Sequence, residues 1–335
     1  MSTAEIRRDP ILGHRTIFAP HRGERPVVSV RESCSTGSVA DDPFLIGNED
    51  ETPAERFRIP DAGSDWRVRV VPNRYPALAE NAAEPIAHDD PFQSFSAIGQ
   101  HEVIVECPHF EEQLSALSVD QIAAVLTAWR SRLVAVHSKG YYDYALIFKN
   151  SGQNAGASLP HSHSQLIAMP KAPIAIQTVR AATWRRFHRE RGVAVQDYVL
   201  ERECQQDRTV TQTGSLAVFC PFASRFPCET WIVPAGRFAP FVELDDSAVR
   251  DLAELLRAVI RSVLTEHPNA AYNVMLHATP FSQMEEPWFR WRIEICPRVA
   301  KLAGFEIATG MYINTVLPKV AAAKLREHLE SPGTA

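Results

Sequence analysis

One order of segments, a strand, a helix and then two strands, occurs twice in this chain of 335 residues, at an offset of about 128 residues. In the first copy HEVIVECP, residues 101–108, alternates as a strand does. The run from Leu117 to His137 then puts Ile122, Val125, Leu126, Trp129, Leu133 and Val136 on one helical face, with Ser118 and Gln121 spaced as a capping box. YDYALIFKN and HSHSQLIAMP follow, two strand-like runs separated by the Gly- and Ser-rich loop SGQNAGASLP. In the second copy CETWIVP is the strand, DDSAVRDLAELLRAVIRSVL the amphipathic helix, and AYNVMLHATP with FRWRIEICP the closing pair. The repeat predicts an α+β fold of two tandem modules, each an antiparallel sheet with packed helices, over residues 1–185 and 186–335.

A chain of this length suits two domains, and 45% hydrophobic with 22% charged residues is ordinary globular usage. A net charge of −5 supplies no general attraction for a polyphosphate backbone, which argues against nucleic acid as a partner. The opening residues lack an apolar stretch behind their charges, and no run approaches the roughly 20 apolar residues of a membrane span; the expectation is a cytoplasmic protein without a membrane partner. Six cysteines lie scattered with no Cys-x-x-Cys pair, as reduced structural thiols do. Between the copies IQTVRAATWRRFHRERG reads as a basic helix that packs Trp184 and Phe187 and exposes its arginines. Residues 31–65 read as a loop-dominated excursion.

The chemistry gathers at His161-Ser162-His163-Ser164-Gln165. On a strand, His161, His163 and Gln165 would point to one face as a polar row. A neutral imidazole is a good nucleophile toward phosphorus, and the phosphoramidate it forms stays reactive enough to pass the group on. The other histidine and nearby carbonyls can fix the tautomer of His163, and Gln165 can donate to a phosphoryl oxygen without activating water. The preceding loop can bring backbone close to a phosphate, with Asn150 and Ser158 as side-chain donors. By themselves two histidines in a strand also fit a metal pair or satisfied polar residues.

With these residues in place, the chain resembles the galactose-1-phosphate uridylyltransferase family of the histidine-triad superfamily, including its ADP-glucose phosphorylase-like members. The resemblance runs through RRDPILGHRTIFAPHRGERP, DPFLIGNEDETP, VVPNRYPAL, FKNSGQNAGASLPHSHSQ and AGFEIATGMYIN. It implies two histidine-triad-like modules, the first catalytic and the second degenerate, in a homodimer. It also implies nucleotidylation of His163, contact of Gln165 with the transferred phosphate, and nucleotide or phosphate binding by Asn73, Asn150, Gly156 and Ser158. Arg22 and Arg25 match the family's N-terminal arginines, which reach phosphate or sugar, and Phe305 and Glu306 match its C-terminal substrate segment.

The family's Cys-Pro-x-Cys is replaced by Asp42-Pro43-Phe44-Leu45, and the expected third zinc ligand falls at Phe110, beside His109. His161 is the one first-site ligand retained. Cys204, Asp207 and Arg290 stand where some relatives carry cysteine or histidine at a second site. One imidazole does not hold zinc against water, so the expectation is an enzyme with no cofactor, a weaker site of Asp42, His109 and His161 being the alternative. The leading expectation for activity is transfer of UMP between UDP-glucose and a hexose 1-phosphate. ADP-glucose phosphorolysis, dinucleoside polyphosphate phosphorolysis and non-catalytic nucleotide binding are the alternatives. The partners implied are a nucleotide sugar with a sugar 1-phosphate or phosphate.

Overall fold

The structure is a computed structural model that describes residues 5–20, 42–63, 65–81, 96–111, 113–171, 181–235, 240–284 and 290–330. Its first half holds β1 (Glu5–Arg8), β2 (Arg15–Phe18), β3 (Phe57–Ile59), β4 (Val68–Pro72), β5 (Gln100–Val105), α1 (Val119–Ser138), β6 (Tyr144–Ser151) and β7 (His163–Met169). After α2 (Ala181–Arg191) and α3 (Val195–Cys204) come β8 (Thr209–Thr213), β9 (Leu216–Phe219), β10 (Thr230–Pro234), α4 (Asp246–Glu266), β11 (Tyr272–His277) and β12 (Arg292–Pro297). The chain closes with α5 (Gly304–Thr309), β13 (Tyr312–Asn314) and α6 (Pro318–Glu330).

The recurrent order is present as β5-α1-β6-β7 and again as β10-α4-β11-β12. The two sets of strands are not separate sheets. They form one ten-stranded sheet in the order β3-β4-β5-β7-β6-β11-β12-β10-β9-β8, in which the second five mirror the first. Each of β6 and β11 would be an edge with unpaired N–H and C=O groups in a lone module, and antiparallel pairing from Tyr272↔Ser151 to His277↔Leu146 removes both edges. The antiparallel sheet expected of each module is therefore half of this single one, and residues 185 and 186 lie in α2. A small second sheet, β1-β2-β13, includes the parallel pair β2 with β13.

The helical face read from the sequence is the face that packs: Ile122, Leu126, Trp129, Leu133 and Val136 are fully buried and Val125 nearly so. Each such side chain contributes about 1.5–3 kcal/mol relative to exposure. Helices α1 and α4 pack on each other, and one apolar cluster includes Leu126, Trp129 and Ile147 with Leu252, Leu256, Tyr272 and Ile293 from the other half. At the start of α1, Ser118 Oγ accepts from Gln121 N–H at 3.1 Å, but the reciprocal half of the capping box is absent. Gln121 instead donates to the carbonyls of Arg67 and Glu106, both at 2.7 Å, so it ties the helix to the strands. Trp129 of α1 donates to Ser164 Oγ at 2.9 Å, which anchors the middle of the histidine segment.

Trp184 on α2 is buried and Phe187 packs edge-on against Tyr198 of α3 at 5.1 Å, while Arg185, Arg186, Arg189 and Arg191 are exposed. Among the described residues no helix is long and apolar enough to cross a membrane.

Candidate active site

Strand β7 begins at His163, so His161 stands before it and the polar row of three expected on one strand face is corrected. The chain turns instead so that the His161 carbonyl faces the next imidazole, and His163 Nδ1–H donates to it at 2.7 Å. Nε2 of His163 is thereby left as the unprotonated, basic nitrogen. Burial, together with the nearby Lys149 ammonium, holds the His163 imidazole below its ordinary value and so keeps it neutral over a wider pH range. The ring is 5% exposed and lies 5.4 Å from the Phe44 ring.

Behind this backbone Lys149 on β6 is buried, and its Nζ donates to Glu106 Oε2 at 2.7 Å, Ser162 Oγ at 2.9 Å and the His163 carbonyl at 3.2 Å. Ser162 also donates to Glu106 at 2.7 Å. A buried charge with three acceptors around it fixes Ser162 and the backbone of His163. Its sequence signal was parity: Lys149 sits on the strand face that Ala145 and Ile147 bury.

Both ring nitrogens of His161 face acceptors. Nδ1 lies 2.5 Å from Asp42 Oδ2, and Nε2 lies 3.0 Å from the Cys107 carbonyl. Such a ring has no lone pair turned toward a metal, Leu45 and Phe110 have no ligating atom, and His109 is exposed. These residues do not fit a four-ligand zinc site, nor do Asp42, His109 and His161 gather as a metal-holding group. Burial beside Glu106 pushes the Cys107 thiol up to about 12, which makes it no thiolate ligand. Among the described residues the group with metal-ligand spacing is Glu229, Glu294 and Cys296 in the other half, where Arg225 already reaches all three at 2.7, 2.5 and 3.3 Å. Arg290 bonds Asp197 at 2.6 Å, and Asp207 is exposed; nothing is described of the Cys204 side chain.

Gln165 lies two residues along β7, and its Oε1 is 2.9 Å from His101 Nε2 on the neighbouring β5. Asn73, just past β4, donates its N–H to the His101 carbonyl at 2.9 Å, so β4, β5 and β7 bring Asn73 and Gln165 together around His101. On the other side Asn150 of β6 reaches Gly156 O at 3.4 Å. Its Oδ1 accepts from Asn273 of β11 at 2.9 Å, and Asn273 also donates to Ala155 O at 2.9 Å. The second half therefore shapes the loop that leads from β6 toward His163. That loop requires glycine at its start: Gly152 has φ +83°, and a Cβ there would lie 2.8 Å from Ala271 Cβ. Ser158 lies exposed on the same loop.

The structure thus links His163 to His161, Gln165 to Asn73 through His101, and Asn150 to Gly156. Arg22 and Arg25 lie outside the described residues. Phe305, 41% exposed, and Glu306 are elsewhere, on α5, where Glu306 caps its own helix by accepting from Ala303 N–H at 3.1 Å. The following β13 is anchored by Asn314 to the Ser224 carbonyl at 3.1 Å, on the flank built by β8, β9 and β10. His101, Glu106, Lys149 and Asn273 are the site residues that motif reading passed over.

Residues 1–173 match the family described as galactose-1-phosphate uridyl transferase, N-terminal domain. ADP-glucose phosphorylase of Arabidopsis thaliana is 32% identical over 329 residues, covering 96% of this chain and 92% of that protein. Galactose-1-phosphate uridylyltransferase of Thermotoga maritima is 27% identical over 336 residues, covering 96% and 98%. The crystal structure of the Arabidopsis thaliana ADP-glucose phosphorylase with bound ADP-glucose superposes with TM-score 0.83 at 32% identity, over 97% of this chain and 99% of that one. A uridylyltransferase structure superposes with TM-score 0.76 at 26% identity, over 98% and 99%. These relatives are enzymes that transfer nucleotidyl groups, and this chain belongs to the galactose-1-phosphate uridyl transferase family.

Proposed function

We propose that the protein transfers a nucleoside monophosphate from a nucleotide sugar through a covalent nucleotidyl-His163. The observation that carries this reading is the 2.7 Å hydrogen bond from His163 Nδ1 to the His161 carbonyl, which leaves Nε2 as the nucleophile. In the first step Nε2 attacks the α-phosphorus; the N–P bond forms as the P–O bond to the sugar 1-phosphate breaks. The leaving phosphate carries its own charge and needs no strong general acid. In the second step an acceptor phosphate oxygen attacks the phosphoramidate, and the electron pair of the P–N bond returns to Nε2. The amide of Gln165 donates to the transferred phosphoryl group, where charge develops.

ADP-glucose as donor and inorganic phosphate as acceptor are favoured by the higher identity and closer superposition of the ADP-glucose phosphorylase relative. Uridylyl transfer to a hexose 1-phosphate is the second reading, supported by the family match over residues 1–173 and the Thermotoga maritima relative. We take residues 1–185 as a catalytic histidine-triad-like module and 186–335 as its degenerate counterpart. The likeness to the family further supports a homodimer, with Phe305 and Glu306 in its substrate segment.

The test is incubation with α-phosphate-labelled ADP-glucose or UDP-glucose, followed by phosphate or galactose 1-phosphate. An acid-labile, base-stable label on His163 that phosphate discharges as ADP is expected. Absence of label from both donors overturns the covalent reading, and discharge of UMP only to a sugar 1-phosphate selects the second.

A further inference from the structure

A primary amide beside a phosphoryl group helps only if its nitrogen faces the phosphate, and its two ends have nearly the same shape. Gln165 needs something to choose between them. The structure assigns that task to His101, a positioning residue that holds the Gln165 amide in its donating orientation; this rests on the nucleotidyl-His163 reading above.

The choice follows from one backbone group. Ala77 N–H donates to His101 Nδ1 at 3.1 Å, and a backbone N–H has no alternative polarity. With Nδ1 an acceptor, the neutral ring carries its proton on Nε2, which settles the tautomer that an imidazole otherwise leaves open. Nε2–H then donates to the Gln165 oxygen 2.9 Å away, and the Gln165 nitrogen becomes the committed donor at the other end. The register supports this: Val103 of β5 sits opposite Gln165, so His101, two residues along, shares its face and meets it diagonally. Asn73 is set in a parallel way, its Oδ1 accepting from Tyr75 N–H at 2.8 Å while its Nδ2 lies 3.2 Å from His101 Nε2. That last approach brings two donors together and is not counted as a bond. The amide of the phosphate-contacting strand is thus oriented from the neighbouring strand, through a loop that runs from Asn73 to Ala77.

Three full-length variants separate orientation from mere packing: His101→Gln keeps a donor near the Nε2 position, His101→Leu removes it, and His101→Glu replaces it by an acceptor of the same shape as glutamine. Circular dichroism and thermal unfolding of each variant check the fold, and the single-turnover rate of His163 labelling and the KM for the nucleotide sugar are the readouts. His101→Leu is expected to slow labelling by about 10- to 100-fold, less than the roughly 100- to 1,000-fold lost when such a donor is deleted outright. His101→Gln is expected to recover most of that rate. His101→Glu is expected to be the slowest, because its carboxylate draws the Gln165 nitrogen and turns the oxygen toward the phosphoryl group. KM is expected to move far less than the rate.

In a Gln165→Ala background the three variants are expected to label at one rate, which keeps the comparison decisive if any single variant is poorly folded. Equal rates for the Gln and Glu variants, or persistent differences in the Gln165→Ala background, overturn the assignment of His101 alone. Failure of the wild type to label at all overturns the nucleotidyl-histidine reading and this inference with it.

Discussion

Strands β7 and β12 occupy equivalent places in the two halves of the sheet, and their side chains do opposite things. In the first half His163 and Gln165 are held by polar neighbours that leave one reactive end each. In the second, Arg292 and Glu294 stand at the same positions and satisfy each other at 2.7 Å. Arg225 adds a 2.5 Å bond to Glu294 and a 2.7 Å bond to Glu229, and His277 lies 3.3 Å from Glu294. Although burial pushes the Glu294 carboxyl up, His277, Arg292 and Arg225 together hold it well below the usual carboxylate range. One scaffold position keeps a lone pair available while the other uses every charge internally. In this duplicated fold the two equivalent strand positions differ in the completeness of their polar pairing rather than in backbone shape.

The sharpest way to break this comparison is paired substitution at the equivalent positions. His163→Ala is expected to lower nucleotidyl transfer by at least about 10⁴-fold, as loss of a covalent nucleophile does. Arg292→Gln is expected to leave the rate per folded molecule within about tenfold while lowering stability. Loss of labelling in a folded Arg292→Gln protein would place chemistry in the second half and end the division of labour.

The support itself is tested by Arg225→Met, which takes the shared guanidinium from two buried carboxylates, leaving Glu294 its Arg292 and Glu229 its Trp231. Removing one partner of a buried pair costs about 3–5 kcal/mol, to be read as a lower denaturant midpoint at an unchanged slope. An unaltered midpoint would mean that the cluster is solvated and contributes nothing.

The loop between β6 and β7, which meets Ala271 of the second half, gives a smaller effect. Gly152→Ala meets both a positive φ and the 2.8 Å approach to Ala271, for a cost of roughly 1–3 kcal/mol. It is expected to raise KM for the nucleotide sugar more than it lowers kcat, and steady-state kinetics decides. Smallest is the pH effect. His163 and His277 are both held below the ordinary histidine value, chiefly by burial. The unfolded chain then binds protons that the folded one refuses, so their stability contribution is full above about pH 6.5 and declines as pH falls below it. The acid limb of the labelling rate is expected below that value as well, and His277→Gln should flatten the stability profile without moving the rate profile.

The order of strands and helices was legible because each repeat carries its own periodicity and turn residues, down to the six apolar positions of α1. The merging of the sheets was not, since apolar runs in β6 and β11 say that both are buried but not against what. His163, Gln165, Asn150 and Gly156 stood out in the sequence as candidates within one short segment. His101, Lys149, Glu106 and Asn273 act through pairings between strands distant in sequence, and such pairings exist only once register is set. The three-residue polar row failed for a local reason: the His161 carbonyl is spent on His163, which requires a turn where a strand was expected.

The seam between β6 and β11 has a consequence for any attempt to divide the molecule. Cutting the chain near residue 185 would turn its most interior row of backbone groups into two adhesive margins, each of them the other's best complement. It would also take Asn273 and Ala271 away from the loop they shape. A split gene for this fold would therefore encode two obligate companions, unable to work alone and prone to reassemble by strand exchange.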